Sequence, residues 1–525
     1  MLAMFSCNFL DVESEDIMLA DKYYNTKEDL YTALLGVYAT LADGPLYGNN
    51  ILGRLALEGD EGYESYSVDA QTVGYYVVSA ADNKILTYWR SLYEGINRAN
   101  LLLENIDKPE VESTLRDDIK GQALFLRAYY YYMLVTKFGD VPLILKFADT
   151  SKPEDIQIPR TPMDVVYNKI IEDMEEAAGL VSDASAYTGG GRVSKSAVWG
   201  VLARVYLKMA GEPLNDTSKY EDAAKWAKKV IDTGFHTLNP SYEQVFVNYI
   251  QDLYDIKESI WEVEFYGNGM GSITGVSGMV GRNNGVFNNS TTDDIGYSAG
   301  MLRATSVLMD LYKTEDLRKD WNISPYYYRR NADNIEITDT IYWSPNGNKF
   351  QRYCGKYRRD REILLPKSTT ATPINFPLLR YSDVLLMYAE AVNKKGNASA
   401  EEITMAYEAV NMVKRRGYGF DVQTANAGVD INQTNTPVGE DFHQHIMDER
   451  ARELCFEALR KDDLVRWGVF YNRMKAVLPE IPPGTSSYLV AAQTIYGNVT
   501  KRDVIWPIPT YELGVNRNLT QNHGW

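Results

Sequence analysis

The chain has 525 residues and a formal net charge of −17, from 54 Lys and Arg against 71 Asp and Glu. That balance speaks against nucleic acid and anionic lipid as partners, because both recruit a cationic footprint. No apolar run reaches the roughly 18 residues that would cross a bilayer, and Cys7, Cys354 and Cys455 form neither a disulfide framework nor a zinc-type CxxC spacing.

Tyrosine is in surplus, 39 residues against 15 phenylalanines. Its flat apolar face and water-tolerant hydroxyl suit contact surfaces that are only partly buried. At the N-terminus, Ser6-Cys7 places a small residue before a cysteine, as a lipoprotein cleavage site does. Only six residues precede Cys7, fewer than the apolar core of about 7–15 residues that a full signal needs.

Thr26 with Asp29 reads as a helix start, and Leu30, Leu34, Val37 and Leu41 follow on one face. Residues 43–79 lose that period and read as a long ordered loop or short elements. A helix is expected from about 82 to 105, with Ile85, Trp89, Leu92, Ile96 and Ala99 aligned. The next stretch is the most apolar of the chain. Ile119, Ala123, Leu126, Tyr130 and Met133 mark one helical face, four consecutive tyrosines (129–132) widen it, and Gly139 and Pro142 stop it. Arg127 sits inside this run with no adjacent acid, so it is expected to meet carbonyls or an acid from another helix.

A Pro-containing connector at 146–161 leads to a helix over Met163–Leu180. Ser194 caps a helix bearing Val198, Val201, Leu202, Val205 and Met209, answered by a second helix over 220–231. Small residues (Ala203, Ala223, Ala224, Ala227) permit close helix approach, so the pair resembles a tetratricopeptide unit. A looser copy runs from Leu385 to Val410. Between them, residues 235–375 are rich in Gly, Asn, Tyr and Trp and read as loops and short strands mounted on the helical body. Helices are expected again over 376–416, and His443–Trp467 is read as a last strong helix before a Pro/Trp tail that packs back on the body.

Little of this carries reaction chemistry. Glu449, Glu453 and Glu457 are spaced four apart, about 6 Å between neighbours on a helix. A glycosidase pair must flank a bond from two sides, which one helical stripe does not do. Interleaved Arg450, Arg452, Arg460, Lys461 and Arg466 make an ion-pair network the better reading. His443 and His445 diverge on a helix, so no metal site is expected, and Gly267–Gly271 matches neither a dinucleotide nor a phosphate loop. The inserts do hold the mixture that recognises sugars, namely aromatic faces for the C–H side of a ring and amides for its hydroxyls.

Several stretches together resemble the SusD/RagB family of outer-membrane glycan-binding lipoproteins. They are Ser6–Val12, Trp89–Asn100 with its W-x-x-x-Y-x-x-I-x-x-x-N pattern, the Leu126–Leu143 run, Leu379–Ala391, Glu449–Gly468, Pro507–Pro509 and Gln521–Trp525. The resemblance implies a mainly α fold, a scaffold of tetratricopeptide-like helical pairs with long irregular inserts. Its expected parts are a lipoprotein lead-in (1–24), an N-terminal helical region (25–234) and a C-terminal region (235–525), packed as one unit. It further implies a lipid on Cys7, an outer-membrane surface location, and a lid-like partnership with a SusC-like TonB-dependent transporter. The short leader is then explained if Met1 lies inside the true apolar core.

The expected function is non-catalytic capture of an oligosaccharide and its delivery to the transporter, with no cofactor and no nucleic acid. The alternative is a protein- or peptide-handling lid subunit that binds no glycan. For the site, composition and placement favour Tyr297 and Trp321, then Tyr266, Tyr75 and Trp343, with Asn268, Asn322 and Asp60 as polar contacts. Trp89 is read as structural, because it shares a helix face with Ile85, Leu92 and Ile96.

Overall fold

The computed structural model describes residues 23–51, 59–65, 73–149, 152–270 and 275–525. Cys7 and the lead-in through residue 22 lie outside them. The helices begin where cap chemistry directs. Thr26 accepts the Asp29 amide at 3.1 Å and the Asp29 carboxylate accepts the Thr26 amide at 2.9 Å, opening Lys27–Ala39. Asp82 caps Asn83–Asn105, and Ser194 caps Lys195–Ala210.

The tyrosine helix spans Ser113–Phe138, starting earlier than its apolar face, and nearly every residue from Ile119 on is buried. Its polar atoms find partners on neighbouring elements. Tyr130 donates to Val37 O (2.6 Å), Tyr131 to Ile144 O (2.8 Å), and the Tyr129 and Tyr47 hydroxyls meet at 2.8 Å. Arg127 meets an acid from another helix, donating to Asp173 of Met163–Leu180 through Nε and Nη2 (2.8 and 2.9 Å) and to Asn100 Oδ1 through Nη1 at 3.0 Å. Gly139 ends the helix at φ +70°, a conformation that favours glycine.

The helical pairs form as the small residues require. Lys195–Ala210 packs on Lys219–Asp232, and Tyr381–Lys394 on Ala400–Gly417. Ala203, Ala223 and Ala227 are fully buried between them. At Gly200 an added Cβ would stand 2.4 Å from a Leu379 methyl, so glycine is needed for that approach. One apolar core runs continuously from Tyr24 to Leu519, and a smaller cluster gathers Tyr63, Tyr75, Phe350, Phe470 and Tyr496.

Among the described residues, six short strands make three antiparallel pairs. β1 (Gly62–Glu64), β2 (Ser259–Val263), β3 (Leu302–Ala304), β4 (Tyr326–Arg330), β5 (Thr338–Tyr342) and β6 (Phe376–Arg380) pair as β1–β3, β2–β6 and β4–β5. Two expectations need correction here. Residues 376–380 are strand rather than helix, because β2 supplies a partner from far away in sequence. His443–Trp467 is not one helix. Glu440–Leu454 ends at Cys455, Phe456 and Ala458 both take φ +64°, and Arg460–Arg466 starts anew. Nor is it the last, since Phe470–Val477 and Ser487–Asn498 follow.

That break swings Glu457 off the helical stripe and into a buried charge network. Glu453 faces Arg318 (3.2 Å), Arg380 (2.9 Å) and Arg416 (2.6 Å). Glu449 binds Arg318 and Arg452, Glu457 binds Arg380 and Lys356, and Glu258 binds Arg380 and Arg416. Asp316 completes the ring on Arg318 at 2.7 Å. The participants come from the insert, from the turn just before β2, from β6, from two helices and from the break after Leu454.

Burial alone would raise the Glu453 carboxyl; Arg416, Arg380 and Arg318 override it and hold it at about 2. Its ionised form therefore stabilises the fold above the ordinary carboxylate value of 4.5, and that contribution is lost as pH falls towards 2. Glu453→Gln leaves three arginines under-compensated and is expected to cost about 3–5 kcal/mol near neutral pH. In denaturant titrations the deficit should shrink as pH is lowered from about 4.5 to about 2, where the parent is itself protonated. An equal midpoint for both proteins at neutral pH would contradict the network's role.

Candidate functional site

Strand alternation sorts the β4–β5 hairpin. Tyr326 pairs with Tyr342 and Tyr328 with Thr340, so these side chains share one face, while Tyr327 and Ile341 share the other. Trp343, one residue past β5, falls on the Tyr327 side. Its ring lies 4.5 Å from that of Tyr327 at 34°. Tyr353 joins at 5.9 Å from Trp343, and Phe287 stacks on Tyr353 at 5.5 Å and 16°. Tyr327, Trp343 and Phe287 are half-buried.

Arg303 of β3 organises the edge of this aromatic group. Its guanidinium stands 4.1 Å above Tyr353 and 4.9 Å from Tyr488. It donates to Ser65 Oγ (2.8 Å), to the Tyr353 hydroxyl (2.7 Å) and to the Gln351 carbonyl. Burial raises the Tyr353 phenol, with Arg303 opposing, so it stays a neutral donor and acceptor. Asn348 lies beside Tyr488, 3.5 Å from its hydroxyl. The surface is thus a ring platform edged by a guanidinium, hydroxyls and an amide, which matches a sugar's apolar face and polar rim.

Of the residues singled out from sequence, Trp343 alone belongs to this platform. Tyr266 is 67% exposed on a separate loop. Tyr297 is half-buried, with the Arg282 guanidinium 5.4 Å from its ring. Five others are corrected by burial. Trp321 is only 5% exposed and carries the Arg358 guanidinium on its ring at 4.2 Å, so that face is taken. Tyr75 sits in the smaller apolar cluster. Asp60 is fully buried and grips Arg460 through both oxygens at 2.7 and 3.0 Å. Asn322 accepts from Tyr242 and donates to Tyr312 and to Arg452 O. Asn268 donates to Pro366 O and accepts the Met270 amide, which fixes its own turn.

Sequence reasoning did not single out Arg303, Phe287, Tyr353 or Tyr488. Parity within Tyr326–Tyr328 was the available signal, since the middle tyrosine must point away from its neighbours in a strand. Arg303 and Tyr488 are distant in sequence and had none. The network acids offer no catalytic pair. Glu449 and Glu453 are fully buried with their oxygens on arginines, so neither carboxylate reaches a substrate.

A family model described as SusD-like, starch-binding associating with outer membrane, matches residues 8–207, and that of the SusD family matches 257–525. The chain is 24% identical to SusD-like protein P2 of Formosa agariphila, over 100% of this chain and 97% of that protein. It is 25% identical to the starch-binding protein SusD of Bacteroides thetaiotaomicron, over 82% and 76%. A solved SusD homologue from Bacteroides thetaiotaomicron superposes with a TM-score of 0.84 at 27% identity, covering 96% of this chain and 98% of that one.

Hydroxyl-radical footprinting is expected to order the aromatic side chains by this geometry. Tyr266 and the 72% exposed Tyr342 should label fastest, Tyr327 and Trp343 at intermediate rate, and Trp321 and Tyr75 slowest. Fast labelling of Trp321 would contradict its placement under Arg358.

Proposed function

The chain belongs to the SusD family, and from that premise we propose that it captures an oligosaccharide at the cell surface without acting on it chemically. The observation that carries this reading is the Tyr327–Trp343–Tyr353–Phe287 ring group with Arg303 at its edge. Half-buried Tyr327, Trp343 and Phe287, backed by the buried Tyr353, offer ring area at little entropic cost, because aromatic side chains have few rotatable bonds. The kinship with a starch-binding relative supports a glucan as the first ligand to test. Tyr266 and Tyr297 remain proposed further contacts on other loops.

The remainder of the reading follows the family. Cys7 would carry the lipid, the outer membrane would hold the chain at the cell surface, and a SusC-like transporter would receive the glycan. Helices pinned by a buried charge network supply a rigid frame that could cover such a partner while the loops hold sugar.

Affinity electrophoresis in gels containing soluble starch or laminarin, with a glycan array alongside, tests the site. Trp343→Ala and Tyr327→Ala are each expected to weaken retention at least ~10-fold, about 1.4 kcal/mol. Trp321→Phe should change it little. Retention unaltered in the Tyr327→Ala/Trp343→Ala double variant would remove this surface. Silence across the array, with transporter association intact, would favour the peptide-handling alternative.

A further inference from the structure

A cavity of about 670 Å³ opens between the end of the tyrosine helix, the last turn of Lys195–Ala210, the stretch around Phe470 and the chain terminus. It shares no lining residue with the aromatic platform. Its volume falls in the usual range for small-molecule sites, roughly 300–1,000 Å³. Val135, Met163, Val465, Phe470 and Ile505 give it apolar walls.

Lys208 lines this cavity and also the smaller one behind it, where Lys137 and Asp462 sit. It is only 3% exposed, and among the described residues it makes no hydrogen bond or ion pair. The nearby acids are already engaged. Asp462 holds Lys137 at 2.8 Å, and Asp463 holds Arg450 and Arg466, both at 2.8 Å. Arg160 at the cavity edge is likewise committed, donating to the carbonyls of Asp140, Phe138 and Thr520 and to Asn522. A buried ammonium needs a counter-charge or water, and the open side of Lys208 is the cavity.

We propose that this cavity binds a small organic monocarboxylate, its carboxylate on Lys208 Nζ and its apolar or ring-shaped body against Val135, Met163, Val465 and Phe470. Among the described residues lining the two cavities, Lys208 is the inner cation without an ion pair, and one such charge matches one carboxylate. Asp140 and Glu212, which also line the cavity, disfavour a dianion such as phosphate. The site stands apart from the glycan reading and does not depend on it.

The charged and titratable groups around Lys208 are Asp462, Asp463, Lys137 and Arg466, with Arg204 and Arg450 in the smaller cavity. Asp140, Arg160, Glu212, Tyr471, Lys501 and His523 line the larger one, and the phenols of Tyr47, Tyr88, Tyr129 and Tyr132 line the smaller. Burial pushes the Lys208 amine down to about 8; Asp462 and Asp463 oppose the shift, while Lys137 and Arg466 reinforce it. The ammonium is therefore present near neutral pH and is lost as pH rises through about 8, and carboxylate affinity falls with it.

The test is calorimetric titration of the full chain with benzoate and glucuronate, using uncharged benzamide and glucose as controls. Benzoate or glucuronate should bind at least ~10-fold more tightly than its neutral counterpart, and the affinity should drop about tenfold or more from about pH 7 to about pH 9.5. Lys208→Met should lose at least ~10-fold in affinity, while Tyr327→Ala, on the other surface, should keep it. Equal binding of benzamide and benzoate, undiminished binding in a folded Lys208→Met, or no carboxylate binding at all would each overturn the proposal. If Lys208→Met does not fold, the charge and pH comparisons on the parent chain decide it.

Discussion

The constraint on which this structure depends is the burial of opposite charges that only the folded chain can bring together. Arg318, Arg380 and Arg416 converge on Glu453, and Glu449, Glu457, Glu258 and Asp316 complete the set. Each ion is costly to desolvate, and the cost is met only if all partners arrive with correct geometry. The arrangement therefore selects one docking of the insert on the helical body. Arg318, which opens the short helix Arg318–Asn322, and Lys356, in a turn, come from the loop-rich insert, so its short and irregular elements are held at fixed positions.

The tyrosine helix applies the same logic with neutral groups. A run of four tyrosines would leave a row of hydroxyls in the core unless each found an acceptor. Those of Tyr130, Tyr131 and Tyr129 are met by Val37, Ile144 and Tyr47, which come from different segments. Arg127 and Asp173 then lock two helices together. A rigid frame of this kind lets the exposed hairpin carry aromatic residues on both faces without collapsing onto them. Tyr326, Tyr328 and Tyr342 gather near Arg358 on one side, and Tyr327 and Trp343 gather near Arg303 on the other.

Polar and aromatic residues in irregular regions are ambiguous until their neighbours are known. Trp321 and Trp343 lie 22 positions apart in similar surroundings of sequence. One is sealed beneath a guanidinium and the other is half-buried. Asp60 and Asn322 looked like sugar contacts because both stand in stretches of sequence rich in tyrosine and in glycine or asparagine. Both instead satisfy buried partners from distant segments. In an insert this long, an acid or amide has many chances to meet a buried donor, and composition does not record which one does.

By itself the sequence determined most of the helices before residue 235, the caps at Thr26 and Ser194, the close-packed pairs and the ionic character of the acidic residues. These follow from local periodicity and from residue types whose packing is set within a few turns. It also carried the family, because its motifs sit on that scaffold. Only the tertiary structure decided the strand at Phe376–Arg380, the break after Leu454, the membership of the aromatic platform and the isolation of Lys208 at a cavity floor. Each of those depends on a partner far away in sequence, such as β2 for β6 or Arg303 for Tyr353. Burial and pairing across such distances are properties of the packed chain, and no window of neighbouring residues contains them.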